Sequence, residues 1–164
     1  MNGFNLITLS IPGQIIAAFL GTIGFAVLFG AARRHYVLCG LCGMFGWTLY
    51  ILLNRYANFT PAEATICGTI LVALMSRYFA VCFRCPTTVF LITGVFPMVP
   101  GGGIYWTIYY IVSGQFDRAL DSGGTAIMVT VAIVFGTILV NEIPISFFKV
   151  GRERIVRLLG KKSA

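Results

Sequence analysis

The chain has 164 residues, of which 58% are hydrophobic and 10% charged, and its mean hydropathy is +0.90. Water-soluble domains carry roughly 25% charged residues, so a soluble fold would expose most of its apolar surface, and disorder requires the opposite composition. What remains is an integral membrane protein whose +7 net charge reads as a topology signal, not as a nucleic-acid footprint.

Met1 to Ser10 has neither a positive n-region nor a small-residue cleavage site, so the first apolar run is expected to stay in the mature protein. A transmembrane helix needs about 20 apolar residues. The first such run is Ile11 to Ala32, ended by Arg33-Arg34-His35, and the second is Tyr36 to Leu53, ended by Asn54-Arg55. The third, Pro61 to Arg84, opens on Thr60-Pro61-Ala62-Glu63. There Thr60 suits the N-cap, Pro61 the first helical position and Glu63 a capping box. The fourth run, Thr88 to Ser113, is interrupted at Pro97–Gly103, and the fifth is Thr125 to Phe148. The expected architecture is all-α: a transmembrane domain over 1–148 with five spans, then a basic tail over 149–164.

Charge orients these spans. With the C-terminus in the cytoplasm, Arg33, Arg34, Arg77, Arg84, Lys149, Arg152, Arg154, Arg157, Lys161 and Lys162 lie inside, against Arg55 and Arg118 outside. Four or six spans would spoil that positive-inside bias. The expected topology therefore has the N-terminus out and the C-terminus cytoplasmic. The tail mixes its cations with Ile155, Val156, Leu158 and Leu159, as a helix lying on anionic headgroups would.

The interrupted span is the most informative feature. Pro97 and Pro100 followed by Gly101, Gly102 and Gly103 are incompatible with a regular helix. In lipid, irregular backbone is tolerated where protein or a water-filled cavity satisfies it. The break falls near the middle of the run, so each half crosses about half the bilayer. The glycine amides open the second half-helix, a place suited to a carboxylate, and Tyr105 can add a hydroxyl to the same cavity. The alternatives are a proline kink with a glycine packing contact and a plain helix-loop-helix re-entrant.

Phe96-Pro97-Met98-Val99-Pro100-Gly101 with Tyr105 resembles the P-x-x-P-G…Y element of the bacterial threonine/serine exporter family. The resemblance extends to Ser76-Arg77-Tyr78 and Pro86, to Gly24-Phe25-Ala26-Val27-Leu28-Phe29, and to the small-residue run from Cys39 to Gly46. It is to the C-terminal half of the full-length exporters, or to the smaller subunit of the split form. It implies a larger exporter subunit as partner, the bacterial cytoplasmic membrane, and export of threonine and serine or, in some members, of succinate.

Arg77 lies about 24 Å along the third span and roughly 10 Å from its cytoplasmic end. An arginine at that depth takes a partner, a wet cavity or a snorkelling pose. Glu142, in the fifth span, has a similar depth, so a direct or water-bridged pair stands beside the snorkelling alternative. Thr65, Thr69 and Ser76 share one helical stripe suited to interhelical hydrogen bonds. Gly40, Gly43 and Gly46 form a small-residue stripe for close helix packing. The pairs Cys39/Cys42 and Cys82/Cys85 read as small buried hydrophobes rather than as zinc ligands, and His35 as a residue flanking a span.

No hydrolytic, redox or phosphate-binding constellation is visible, so neither an enzyme nor a cofactor is expected. The sequence reads as a multi-pass subunit of a secondary exporter for small carboxylate metabolites, driven by an ion gradient and working as a homo-oligomer or beside a larger subunit. The alternative is a structural membrane subunit that stabilises a transporter partner without lining its pathway. The expected site comprises Arg77, Pro97, Pro100, Gly101, Gly102, Gly103, Tyr105 and Glu142, with no metal.

Overall fold

The computed structural model describes residues 11–144, so the expected basic tail and Met1–Ser10 lie outside the described residues. Among these residues every regular element is helical: α1 (Ile11–Leu28), α2 (Tyr36–Tyr56), α3 (Pro61–Phe83), α4 (Thr87–Val95), α5 (Gly101–Val112) and α6 (Phe116–Asn141). Short 3-10 turns stand at Arg33–His35 and Phe96–Met98. Four helices are long and apolar enough to cross a membrane, and α4 with α5 makes a fifth span if the bent pair is counted as one.

Local chemistry sets the boundaries. α1 stops at Leu28, four residues before the apolar run ends, because Gly30 turns the chain at φ +68°. The Ala31 amide then bonds back to the Ala26 carbonyl at 2.9 Å and closes the helix end. α2 continues past Asn54-Arg55 to Tyr56. At the head of α3 the capping box forms: the Thr60 amide donates to Glu63 at 2.8 Å, and the Glu63 amide donates back to Thr60 Oγ1 at 3.4 Å. Arg84 ends α3 in the left-handed region at φ 52°.

The last span differs most from its expected bounds. α6 starts nine residues before Thr125 and ends at Asn141, with Glu142 as its C-cap. Asp117, Arg118 and Asp121 lowered the hydropathy of its first turns, yet polar residues continue a helix that reaches beyond hydrocarbon. At the other end Pro144 has no amide to donate, and it disfavours helical geometry at Ile143.

α1 packs on α2, α2 on α3 and α4, and α3 on α4 and α6, while α5 rests almost entirely on α6. Inside lipid there is little hydrophobic drive between helices, so close backbone approach must supply the attraction. Glycine provides it on α2. A Cβ on Gly43 would collide with Thr22 of α1, and one on Gly46 with Val72 of α3. Gly94 brings α4 to the same place, where a Cβ would stand 2.8 Å from Val72 and 2.9 Å from Cys42. Ala26, Cys39, Cys42 and Phe90 are fully buried there, with Met75, Phe79 and Cys85 packed around them. The Cys39 thiol faces the Val89 carbonyl at 3.8 Å.

His35 is buried, not merely a flanking residue. Its ring stands edge-on to Phe83 and Phe90, and Arg34 Nε donates to its Nε2 at 2.9 Å. On the hydroxyl stripe of α3, Thr65 and Ser76 donate to carbonyls of their own helix, Pro61 at 2.6 Å and Val72 at 2.7 Å, and Ser76 also meets Cys42 of α2.

Gly43→Leu overpacks the α1–α2 contact and should cost about 1–3 kcal/mol, read as a lower unfolding midpoint in detergent. Gly24→Leu, where nothing lies within 4 Å of an added Cβ, should leave the midpoint nearly unchanged.

Candidate functional site

The fourth span is broken, as the two prolines require, and its halves meet at a bend of 48°. The irregular stretch is shorter than expected. Pro97 sits inside the 3-10 turn, the helix is lost only at Val99 and Pro100, and the three glycines form the first turn of α5. Two short bonds bridge the break, from the Val99 amide to Phe96 at 3.1 Å and from the Gly101 amide to Val99 at 2.8 Å. The amides of Gly102 and Gly103 stand at the helix start, where no turn precedes them to accept their hydrogens.

The elbow borders a half-open cavity of about 560 Å³, within the range of ligand sites. Pro97, Pro100, Gly102 and Gly103 form one wall. Opposite them stand Gln14, Ala17 and Ala18 of α1, Trp47 and Tyr50 of α2, and Pro61 and Thr65 of α3. Thr125, Ala126 and Val129 of α6 complete it. None of the described lining residues carries a charge. The Thr65 hydroxyl donates to its own helix and so does that of Thr125, to Asp121 at 2.9 Å, which leaves both oxygens able to accept.

Four expected site residues stand apart from this cavity. Gly101 is not in its wall, its amide is already bonded, and a Cβ there would meet nothing within 4 Å. A Cβ on Gly102 would likewise meet nothing within 4 Å. The tight approach belongs to Gly103, where a Cβ would lie 3.2 Å from that of Ala126. Tyr105 is 62% exposed, its ring against Trp106, because α5 turns that position away from the wall that Gly103 faces. Arg77 lies twelve residues beyond Thr65 on α3, about 18 Å further along the helix.

Arg77 serves the end of α6 instead. Its guanidinium donates to the main-chain carbonyls of Asn141, at 2.9 Å, and Ile143. These carbonyls belong to a helix end, where orphan acceptors and the negative end of the dipole favour a cation. Glu142 lies between them as an exposed C-cap residue, outside the helical span in which the sequence placed it.

The sequence profile of the family described as Threonine/Serine exporter, ThrE, matches residues 14–143, most of the chain and nearly all of the described part. This chain belongs to the threonine/serine exporter family. No curated protein matches it, and no solved structure does. Membership implies exporter-type transport of threonine and serine, which is a transporter class and not an enzyme class. Together with the apolar helices it makes this a multi-pass membrane protein.

The cavity includes residues that sequence reasoning passed over. Gln14 is the one amide side chain in the largely apolar first span, a signal that was visible. Tyr50 had no such signal, because aromatic residues toward a span's end also serve as interface anchors, and Trp47, at the middle of α2, reads equally well as a packing residue.

Gly103→Val should wedge α5 from α6 and change the cavity's shape, lowering threonine export at least tenfold while membrane insertion persists. Gly101→Val should retain export. Arg77→Ala removes two charge-assisted bonds, each worth about 1.5–3 kcal/mol when fully formed and less at an exposed partner. It should lower the detergent unfolding midpoint more than Glu142→Gln does.

Proposed function

We propose that this chain is one subunit of a secondary exporter in the bacterial cytoplasmic membrane, and that threonine or serine occupies the elbow cavity on its way out. The observation carrying this reading is that the broken span opens onto a walled cavity and not onto lipid alone. The substrate carboxylate would meet the free amides of Gly102 and Gly103 at the positive end of α5. Its ammonium would find neutral oxygens on Gln14, Tyr50, Thr65 and Thr125. A zwitterion brings no net charge into this uncharged site. A dicarboxylate such as succinate would bring two negative charges to the half-charge of one helix end, so the hydroxy amino acids are the better fit.

Charge supports the outward N-terminus and cytoplasmic C-terminus. Arg33, Arg34 and Arg84 lie in the turns at one end of the α1–α4 body, while Arg55 ends α2 at the other. The cavity, walled by the first turns of α1 and α3, would then lie toward the outer face. A larger exporter subunit or a second copy is the proposed cover for α5, none of whose residues is buried.

Reconstitution of the chain alone and with the larger subunit, followed by radiolabelled threonine, serine and succinate flux, tests the proposal. Ala17→Trp fills the cavity from an exposed position and should reduce threonine flux at least tenfold without loss of assembly. Gln14→Leu should weaken threonine transport several-fold. Undiminished flux by the complex carrying Ala17→Trp would favour the structural-subunit alternative.

A further inference from the structure

The elbow cavity has a counterpart at the other end of the seam where α1 and α4 run antiparallel. A second cavity, of about 220 Å³, lies between the Phe29–Ala31 turn and Thr88, Val89, Ile92 and Thr93 of α4. Between the two stands a ring cluster. Phe25 of α1 and Phe96, the first residue of the 3-10 turn, have ring centroids 3.5 Å apart, and Phe29 is 5.9 Å from Phe96. Ala17 in the elbow wall and Phe29 in the second cavity's wall lie eight and four residues from Phe25, about 12 Å and 6 Å along the helix. The two sequence runs Gly24–Phe29 and Phe96–Gly101 thus meet in space at this cluster.

The same seam is the most sparsely packed in the α1–α4 body, since α1 rests mainly on α2 and touches α4 lightly. No glycine-mediated approach ties it, in contrast to the α1–α2 and α2–α3 contacts. Phe96 also stands three residues before the break at Val99 and Pro100. Only the turn bonds of Val99 and Gly101 bridge the break, so α4 and α5 can change their angle without breaking a helical ladder. A 3-10 stretch inside a helical span is a common hinge element.

We propose that Phe25, Phe96 and Phe29 form the barrier between the two cavities, and that solute passes along the α1–α4 seam when the Phe96 ring swings aside. The clustered, mutually tilted rings exclude water and a zwitterion while closed, and displacement of Phe96 joins the cavities. The identity of the solute rests on the exporter reading above, but the barrier can be tested without substrate.

With the five native cysteines replaced by alanine, single reporters are placed at Ala17→Cys in the elbow cavity and Thr88→Cys in the second one. Sealed vesicles receive a membrane-impermeant charged methanethiosulfonate on the elbow side. With Phe96 present, the Ala17→Cys reporter should be labelled and the Thr88→Cys reporter protected. Phe96→Ala should raise labelling at the second site at least tenfold, whereas Phe96→Leu should keep it protected. If Phe96→Ala fails to insert, Phe25→Ala makes the same test from the α1 side. Unchanged protection at the second site in an inserted alanine variant overturns the barrier, as does labelling there with all three rings intact. Loss of threonine flux in Ala17→Trp is a separate readout, so the substrate reading and the barrier can fail independently.

Discussion

Backbone polar groups have no water to turn to in the hydrocarbon core, and this constraint governs the fourth span. Pro97 and Pro100 each lack an amide hydrogen and each crowd the preceding turn. A helix carrying both within four residues cannot run straight through lipid. The chain responds with a 3-10 turn, two local hydrogen bonds and a new helix set at 48° to the old one. Residual amides at the start of α5 then need a protein-lined space, and the elbow supplies one. Much else in the site follows from that bend.

The cavity has walls because the rest of the body is drawn close. Gly43 lets α1 lie against α2, while Gly46 and Gly68 let α2 lie against α3, with Met98 seated at that crossing. Small residues do this in membranes because dispersion at short backbone distance replaces the hydrophobic drive that water provides. Where glycine is absent, as between α1 and α4, packing is looser and aromatic rings fill the space. One body thus combines rigid crossings with a yielding seam.

Several elements were legible in advance because they depend on neighbours in sequence. Thr60-Pro61-Ala62-Glu63 capped α3 as its chemistry requires, and the two prolines broke the fourth span. The glycine stripe on α2 packed closely, as small residues do. Other readings failed where hydropathy was used as a ruler for helix length. Hydropathy reports immersion in lipid, whereas α6 begins among Asp117, Arg118 and Asp121 and stops before Pro144. The depth match placed Arg77 and Glu142 at the same level of the body, and the structure keeps it. The guanidinium found the carbonyls on either side of that acid, because a helix end offers acceptors whatever the side chain.

The sequence by itself determined the solvent, the helical class, the location of the break and the family, since composition, hydrogen-bond capacity and ring constraints are properties of residues and short segments. Only the tertiary structure decided which residues share the site. Gln14, Trp47, Tyr50, Thr65 and Thr125 come from four helices, and their meeting depends on crossing points and on the angle of the elbow. Tyr105 and Gly101 do not line that cavity, since α5 presents Gly102 and Gly103 to it. Adjacency along the chain settles which backbone groups can be satisfied locally, but adjacency in space is settled by how helices pack.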